Sequence, residues 1–395
     1  MVATATPRTQ ADRLRAIDEL ADGFRKRRRA YDDAADFPLA NFDELREAGL
    51  LALTIPREYG GDDLWWGTSY VDYYEILERL ARIDSCTAQL LQVHSHATGV
   101  LSRLATEDQR ERFLPNIVKH GKLVASVGSE SAPRSTAGGD YISELVETPT
   151  GWRLSCRKHF ASLGPAADYL MIWVAVPGAG PYPERTVLVL VPGDAPEVEL
   201  INEWDVMGMR STVSWDVQVT DYEVLADAIV GEPGAWVRRD PRTFTLGFTA
   251  NHVGAAEEAF DFAAGWVRDR PHLAQSELVQ VMLGELSSEI FAARTALYAA
   301  ARTWEQRDHD LAELESLQAL HLAKRVALDV TQRAFDICGA RVAFRSFPLE
   351  QMLRDVRTFT LHFRDELYMK QVGQAAIGRS FSAKGLSEGT PLRQA

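Results

Sequence analysis

Leu123-Val124-Ala125-Ser126-Val127-Gly128-Ser129-Glu130 is where the texture of this 395-residue chain changes. Upstream, apolar residues recur at helical spacing. Downstream come short runs rich in β-branched and aromatic residues: 152–162 (WRLSCRKHFAS), 169–176 (YLMIWVAV), 186–193 (TVLVLVPG), 198–204 (VELINEW) and 215–224 (WDVQVTDYEV). Gly and Pro separate them, as in Pro177-Gly178-Ala179-Gly180-Pro181. Strands at this spacing predict one antiparallel β-domain.

The flanks read as helices. Pro38 sits at a first-turn position ahead of Phe42 and Leu45, and Gly49 ends that helix. Asp84 and Ser85 cap a stretch in which Leu90, His94, Ala97 and Leu101 share one face. Thr106, followed by Asp108 and Gln109, marks another helix start. After Pro233, Leu278, Met282, Leu286, Ile290, Ala293 and Leu297 mark one long amphipathic helix, and Leu322, Val326 and Val330 another. Long helices without heptads predict a four-helix bundle. The expected fold class is α+β, with an N-terminal helical domain (1–122), a middle β-barrel or sandwich (123–232) and a C-terminal bundle (233–395).

Composition narrows the function. Hydrophobic residues make up 46% and charged residues 25%, so the chain has the apolar content to fold. The longest apolar stretch, 169–177, is under half of the ~20 residues a membrane-spanning helix needs. The net charge is −13, and the one basic cluster is Arg25-Lys26-Arg27-Arg28-Arg29, a poor basis for binding nucleic acid. Three scattered cysteines, Cys86, Cys156 and Cys338, suit reduced thiols rather than a disulfide framework. The first twenty residues lack the apolar core of a secretion signal, so a cytoplasmic location is expected.

Generic catalytic motifs are absent: no G-x-G-x-x-G, no phosphate-binding loop, no nucleophile elbow and no H-E-x-x-H. The nine histidines show no chelating pair, and no metal is expected. His94 and His96 lie about 200° apart around a helix. On spacing alone, His94 reads as a core histidine bonded to a neighbouring carbonyl. His362 reads as a positive group near a helix end.

Five segments in order resemble the acyl-CoA dehydrogenase family. They are Ala125–Ser131 with Gly138-Gly139-Asp140, Arg157–Ser162 with Ala167-Asp168, Met207–Thr212, Cys338–Arg341, and Pro348-Leu349-Glu350 with Leu353–Arg357. The resemblance spans roughly residues 37–378 and implies a flavin between the β-domain and the bundle. Carried over, Ser126, Val127, Ser129, Phe160 and Ser162 would contact the ring and Arg268 the rest of the cofactor. An aromatic face packs on a flavin, and nearby donors tune it.

Two departures redirect the expected chemistry. The family's carboxylate base has no counterpart: Phe363 occupies one position and the Phe244 region the other. Phenylalanine cannot abstract a proton. The family's FAD-binding segment keeps Arg268 but lacks its Phe-Gly, so FMN becomes as suitable as FAD. Both departures resemble the dibenzothiophene monooxygenase branch. There, a motif like Val356-Arg357-Thr358-Phe359-Thr360-Leu361-His362 replaces the base, and a histidine follows a stretch like Gln89-Leu90-Leu91.

The resemblance implies a two-component monooxygenase fed reduced flavin by a separate reductase. Oxygen would add at flavin C4a, and the hydroperoxide would oxygenate a small apolar substrate at sulfur, nitrogen or activated carbon. His94, Ser162 and His362 would be catalytic. His94 and Phe363 would line the substrate pocket, with Trp65 and Trp66 beside them. One alternative is an acyl-CoA dehydrogenase with Asp365 or Glu366 as a relocated base, passing electrons to an electron-transfer flavoprotein. A second is a non-catalytic flavin- or acyl-CoA-binding member. Family members are commonly homotetramers, and the same is expected here.

Overall fold

A computed structural model describes residues 8–66, 68–130, 143–236, 244–363 and 365–379. Ser131, Gly138, Gly139 and Asp140 of the first resemblance segment lie outside the described residues.

The N-terminal part contains α1 (Gln10–Ala34), α2 (Leu39–Glu47), α3 (Tyr70–Ala81), α4 (Ser85–Leu104) and α5 (Glu107–His120). Their starts follow side-chain chemistry. Asp84 accepts the Cys86 and Thr87 backbone N–H groups, and Thr106 with Gln109 forms a reciprocal capping box. Helix α4 is buried on almost every side, which makes it the axis of the molecule.

Three residues of the basic run in α1 are paired inside the protein. Arg27 pairs with Glu44, Arg28 with Glu258 and Arg29 with Glu350. The last two pairs tie the first helix to the C-terminal part and the first ties it to α2, while Arg25 and Lys26 stay exposed.

The middle part holds two four-stranded sheets: β1 (Val124–Val127), β4 (Tyr169–Ala175), β5 (Thr186–Pro192) and β8 (Ile229–Val230) in one, and β2 (Val146–Thr148), β3 (Gly151–Ala161), β7 (Trp215–Val224) and β6 (Val198–Ile201) in the other. Every pairing is antiparallel except β1 with β4, which is parallel. β4 and β5 are nearly continuous apolar strands buried on both faces. The short α6 (Tyr182–Arg185) joins them.

The C-terminal part begins with α7 (Phe244–Arg268), followed by the short α8 (Pro271–Ala274), α9 (Glu277–Glu305), α10 (His309–Cys338), α11 (Leu349–Phe359) and α12 (Asp365–Ala376). α7, α9 and α10 form the long walls of the bundle. α11 packs on α10 and α7, and α12 on α10, completing the fourth side, while α3 covers α7 from the N-terminal part.

The two late sequence segments clamp one another. The Met209 N–H donates to the buried Asp355 carboxylate at 2.5 Å, and the Arg354 guanidinium donates to the Met207 carbonyl at 2.6 Å. A side chain at Gly208 would lie 2.1 Å from the Arg354 carbonyl oxygen, so this approach requires glycine. The clamp sets the 207–212 turn at the junction of all three parts.

Candidate active site

The site begins with an irregularity in β3. Lys158 pairs with Val217 and Ala161 with Trp215, so β3 carries one extra residue there. Such a bulge re-aims a side chain. Phe160 takes a left-handed φ of 57° and its ring is 62% exposed. A strained, exposed aromatic residue at a sheet end is a feature that persists when the surroundings hold it for a purpose.

Groups suited to a planar heteroaromatic ring surround Phe160. Trp204 stands edge-on to it, with ring centroids 6.1 Å apart, and is held by an Nε1–H bond to the Met209 carbonyl at 3.2 Å. Ser162 Oγ lies 2.7 Å from Ser214 Oγ, which lies 2.8 Å from Thr212 Oγ1. The Ser129 carbonyl accepts the His159 N–H at 2.8 Å, placing exposed Ser129 beside the same bulge. Ser129, Phe160 and Ser162 are therefore brought together, and an exposed ring beside a row of hydroxyls fits the expected isoalloxazine.

The other two β1 residues are closer to the core. Ser126 Oγ accepts the Trp173 Nε1–H at 3.0 Å, and the Val127 side chain is buried.

A second group of candidate residues comes from the C-terminal part. His362 follows the end of α11, and its ring packs against Phe248 of α7 (centroids 4.3 Å apart) and Phe363 (4.8 Å). The dense protein around it and the Lys324 ammonium lower its pKa. Its side chain nonetheless opens to solvent. Phe248 shares a small apolar cluster with Cys86, Met209, Leu320 and Phe359, against which Phe363 and Tyr368 pack. This cluster links the His362 wall to the turn that supports Ser162.

Histidine 94 is a correction. It is fully buried, and both ring nitrogens are engaged: Nε2 lies 2.9 Å from the Leu51 carbonyl, and Nδ1 accepts the Val124 N–H at 3.1 Å. It ties α4 to β1 and the 50–52 turn and does not line the cleft. The bond to a carbonyl fixes the neutral tautomer with hydrogen on Nε2.

Burial lowers the His94 pKa from the ordinary 6.5 to about 4. The folded state thus refuses a proton that the unfolded chain accepts. Its stabilising contribution is complete above pH 6.5 and is lost as pH falls toward 4, about 3 kcal/mol in all. Acid unfolding of His94→Gln should accordingly be shallower across that window. Parallel denaturant titrations at pH 7 and pH 5 check this, and equal slopes for both proteins would refute it.

Other expected residues also fall outside the cleft. Arg268 is exposed at the far end of α7, twenty residues or ~30 Å along the helix from Phe248, so one chain does not bring it to the ring site. Trp65 is buried, bonds the Tyr74 hydroxyl at 3.2 Å and packs over Gly99, while Trp66 is half-buried against it. Asp365 is tied to the Lys324 ammonium and sits 3.6 Å from His321 Nδ1, and Glu366 is exposed. Thr243, the Phe244 side chain and Arg364 lie outside the described residues.

Sequence reasoning missed Trp204, Phe248, His252 and Lys324. His252 is buried one helical turn beyond Phe248, its ring 4.8 Å from Phe359. Burial and the Lys324 charge lower its pKa to about 3. The available signal was the i, i+4 pairing of Phe248 and His252, which alone does not separate a site from a core. Among the described residues, no cluster of three or more His, Cys, Asp or Glu could hold a metal.

The pattern "Acyl-CoA dehydrogenase, N-terminal domain" matches residues 9–120, and "Acyl-CoA dehydrogenase, C-terminal domain" matches residues 246–363. YdbM of Bacillus subtilis (strain 168), assigned to the acyl-CoA dehydrogenases, is 29% identical over 359 residues, covering 87% of this chain and 91% of that protein. Dibenzothiophene monooxygenase of Mycolicibacterium goodii is 24% identical over 380 residues, covering 87% and 88%. The FMN-bound structure of TdsC from Paenibacillus sp. A11-2 superposes with a TM-score of 0.85 at 25% identity, covering 94% of this chain and 98% of that one. Matched at both helical ends, and built around a sheet domain that superposes with theirs, the chain belongs to the acyl-CoA dehydrogenase family.

Proposed function

We propose that this protein is a two-component flavin-dependent monooxygenase that takes reduced FMN from a separate reductase and oxygenates a small molecule. The observation that carries this reading is His362. It is exposed beside Phe363, the position where the dehydrogenases need a carboxylate. The similarity to dibenzothiophene monooxygenase and FMN-bound TdsC supports the same reading.

Phe160 and Trp204 would hold the flavin ring, with Ser129 and the Ser162–Ser214–Thr212 hydroxyls at its edge. Reduced flavin, when bound, supplies the reducing power and the means of activating oxygen. The chain supplies the rest. Phe248, Phe359 and Phe363 exclude water. His362 donates or holds a proton at the reacting oxygen, a task suited to an imidazole whose charge its surroundings control. Ser162 supplies a hydrogen bond at the ring edge. The dehydrogenase reading is weaker because Asp365 is engaged by Lys324 rather than free to act as a base.

A homotetramer in the cytoplasm belongs to this proposal. Exposed Leu278, Val281 and Phe291 on α9 leave an apolar face that a second copy would cover.

One preparation tests the reading. Acyl-CoAs added anaerobically to the FMN-loaded protein should leave the flavin absorbance unchanged. Reduced FMN followed by oxygen should give a long-lived absorbance near the ultraviolet edge. Bleaching by an acyl-CoA would overturn the monooxygenase assignment, and light scattering on the same sample reads the oligomer.

A further inference from the structure

His362 stands on a turn, residues 360–363, that leads from α11 to α12. On the α11 side, the Leu361 and His362 N–H groups donate to the Thr358 and Phe359 carbonyls at 3.1 and 3.2 Å. Past His362 the hold comes from a different helix. Lys324, midway along α10 and 5% exposed, donates from Nζ to the Phe363 carbonyl at 3.2 Å and to the Asp365 carboxylate. Asp365 opens α12, and its other oxygen lies 3.6 Å from His321 Nδ1.

A buried ammonium is costly, and here it is met by one carboxylate and by the backbone next to His362. Methionine would fill the same space without that cost, so the lysine calls for a reason beyond packing.

We propose that Lys324 is a positioning residue for His362: it pins the Phe363 carbonyl and Asp365 to α10, and so fixes where the His362 ring stands against Phe248. The inference rests on the reading of His362 as the group that donates or holds the proton, and it adds the residue that governs it. Burial and this ammonium together disfavour a proton on His362 and on His252. The other titratable groups around the turn are engaged or exposed. His252 packs on Phe359, Tyr368 packs on Phe363, and Arg357 donates to Thr360 Oγ1 at 3.1 Å. His321 faces Asp365, and Glu366 is exposed. One lysine thus bears on both the place and the protonation of the imidazole.

Nitrogen NMR of labelled histidine rings in the full chain, with FMN added, tests this, and His362→Gln identifies the His362 signal. Lys324→Met should raise the His362 titration midpoint by about half a pH unit or more, because a positive neighbour is lost. Lys324→Arg keeps the charge and should leave the midpoint in place. Asp365→Asn leaves the ammonium without its countercharge, so the midpoint should stay at or below the wild-type value. A purely structural pair behaves otherwise: loosening the turn from either side wets the ring and raises the midpoint in both variants.

A second readout follows function. After reduced FMN and oxygen, the absorbance near the ultraviolet edge should decay about fivefold faster in Lys324→Met, the worth of one hydrogen bond, with Lys324→Arg restoring most of its lifetime. An unmoved midpoint or an unchanged lifetime in Lys324→Met would overturn the proposal. So would a midpoint raised by Asp365→Asn, a result that does not depend on Lys324→Met folding. A wild-type protein that shows no such absorbance refutes the monooxygenase reading instead, and the titrations then decide by themselves whether Lys324 governs His362.

Discussion

Replacing His362 with alanine should lower oxygenated product by ~10²–10⁴-fold, the usual worth of a positioned proton donor, while FMN affinity stays nearly unchanged. The two readouts separate because the groups expected to hold the ring, Phe160, Ser162 and Trp204, lie on the β-domain and its following turn. His362 belongs to the C-terminal part and touches Phe248 and Phe363. Burial and the Lys324 ammonium favour its neutral form. A neutral imidazole still offers one N–H and one acceptor nitrogen.

His362→Gln therefore sharpens the result. The amide keeps an N–H but cannot pass a proton. Recovery of most product in His362→Gln would mean that hydrogen bonding suffices. Loss equal to that of His362→Ala would mean that proton transfer is required. Full product from His362→Ala would remove His362 from the mechanism.

Much of the fold was legible because it is written in local patterns. The caps at Asp84 and Thr106, the apolar stripes of α9 and α10, and the short strands after Leu123 are all read within a few residues. The parallel β1–β4 pair was not, because it joins strands 45 residues apart through their register, Val124 opposite Tyr169.

The site was legible only in part, for the same reason. Phe160 and Ser162 were named by resemblance, but the exposure of Phe160 depends on a bulge defined against β7. His252 and Lys324 lie on α7 and α10 and meet the His362 wall only through tertiary packing. His94 shows the opposite error. Its apolar stripe with Leu90, Ala97 and Leu101 already marked it as core, and resemblance argued for a pocket. The bonds to Leu51 and Val124 show that local physics was the better guide.

The largest stability effect should come from Lys158, which is fully buried in β3. Its ammonium donates to the Trp173 carbonyl at 2.5 Å and to the Glu130 carboxylate, whose other oxygen accepts the Ser143 N–H at 3.2 Å. β3 belongs to one sheet and Trp173 to the other, so the lysine clips the two sheets together beside Ser129. Lys158→Met keeps the stem and removes the charge. It removes the Lys158 charge from beside a buried carboxylate, a loss of ~3–5 kcal/mol. Urea unfolding followed by tryptophan fluorescence should show the loss, and FMN binding should weaken with it because Ser129 and the 159–160 bulge share this support. Adding Glu130→Gln removes the other charge of the pair, so the double variant should recover part of the stability lost by Lys158→Met. That non-additivity is the signature of direct coupling. If the double variant is instead less stable by the sum of the two single losses, the pair does not act as a clip and the lysine stabilises the domain only through its packing.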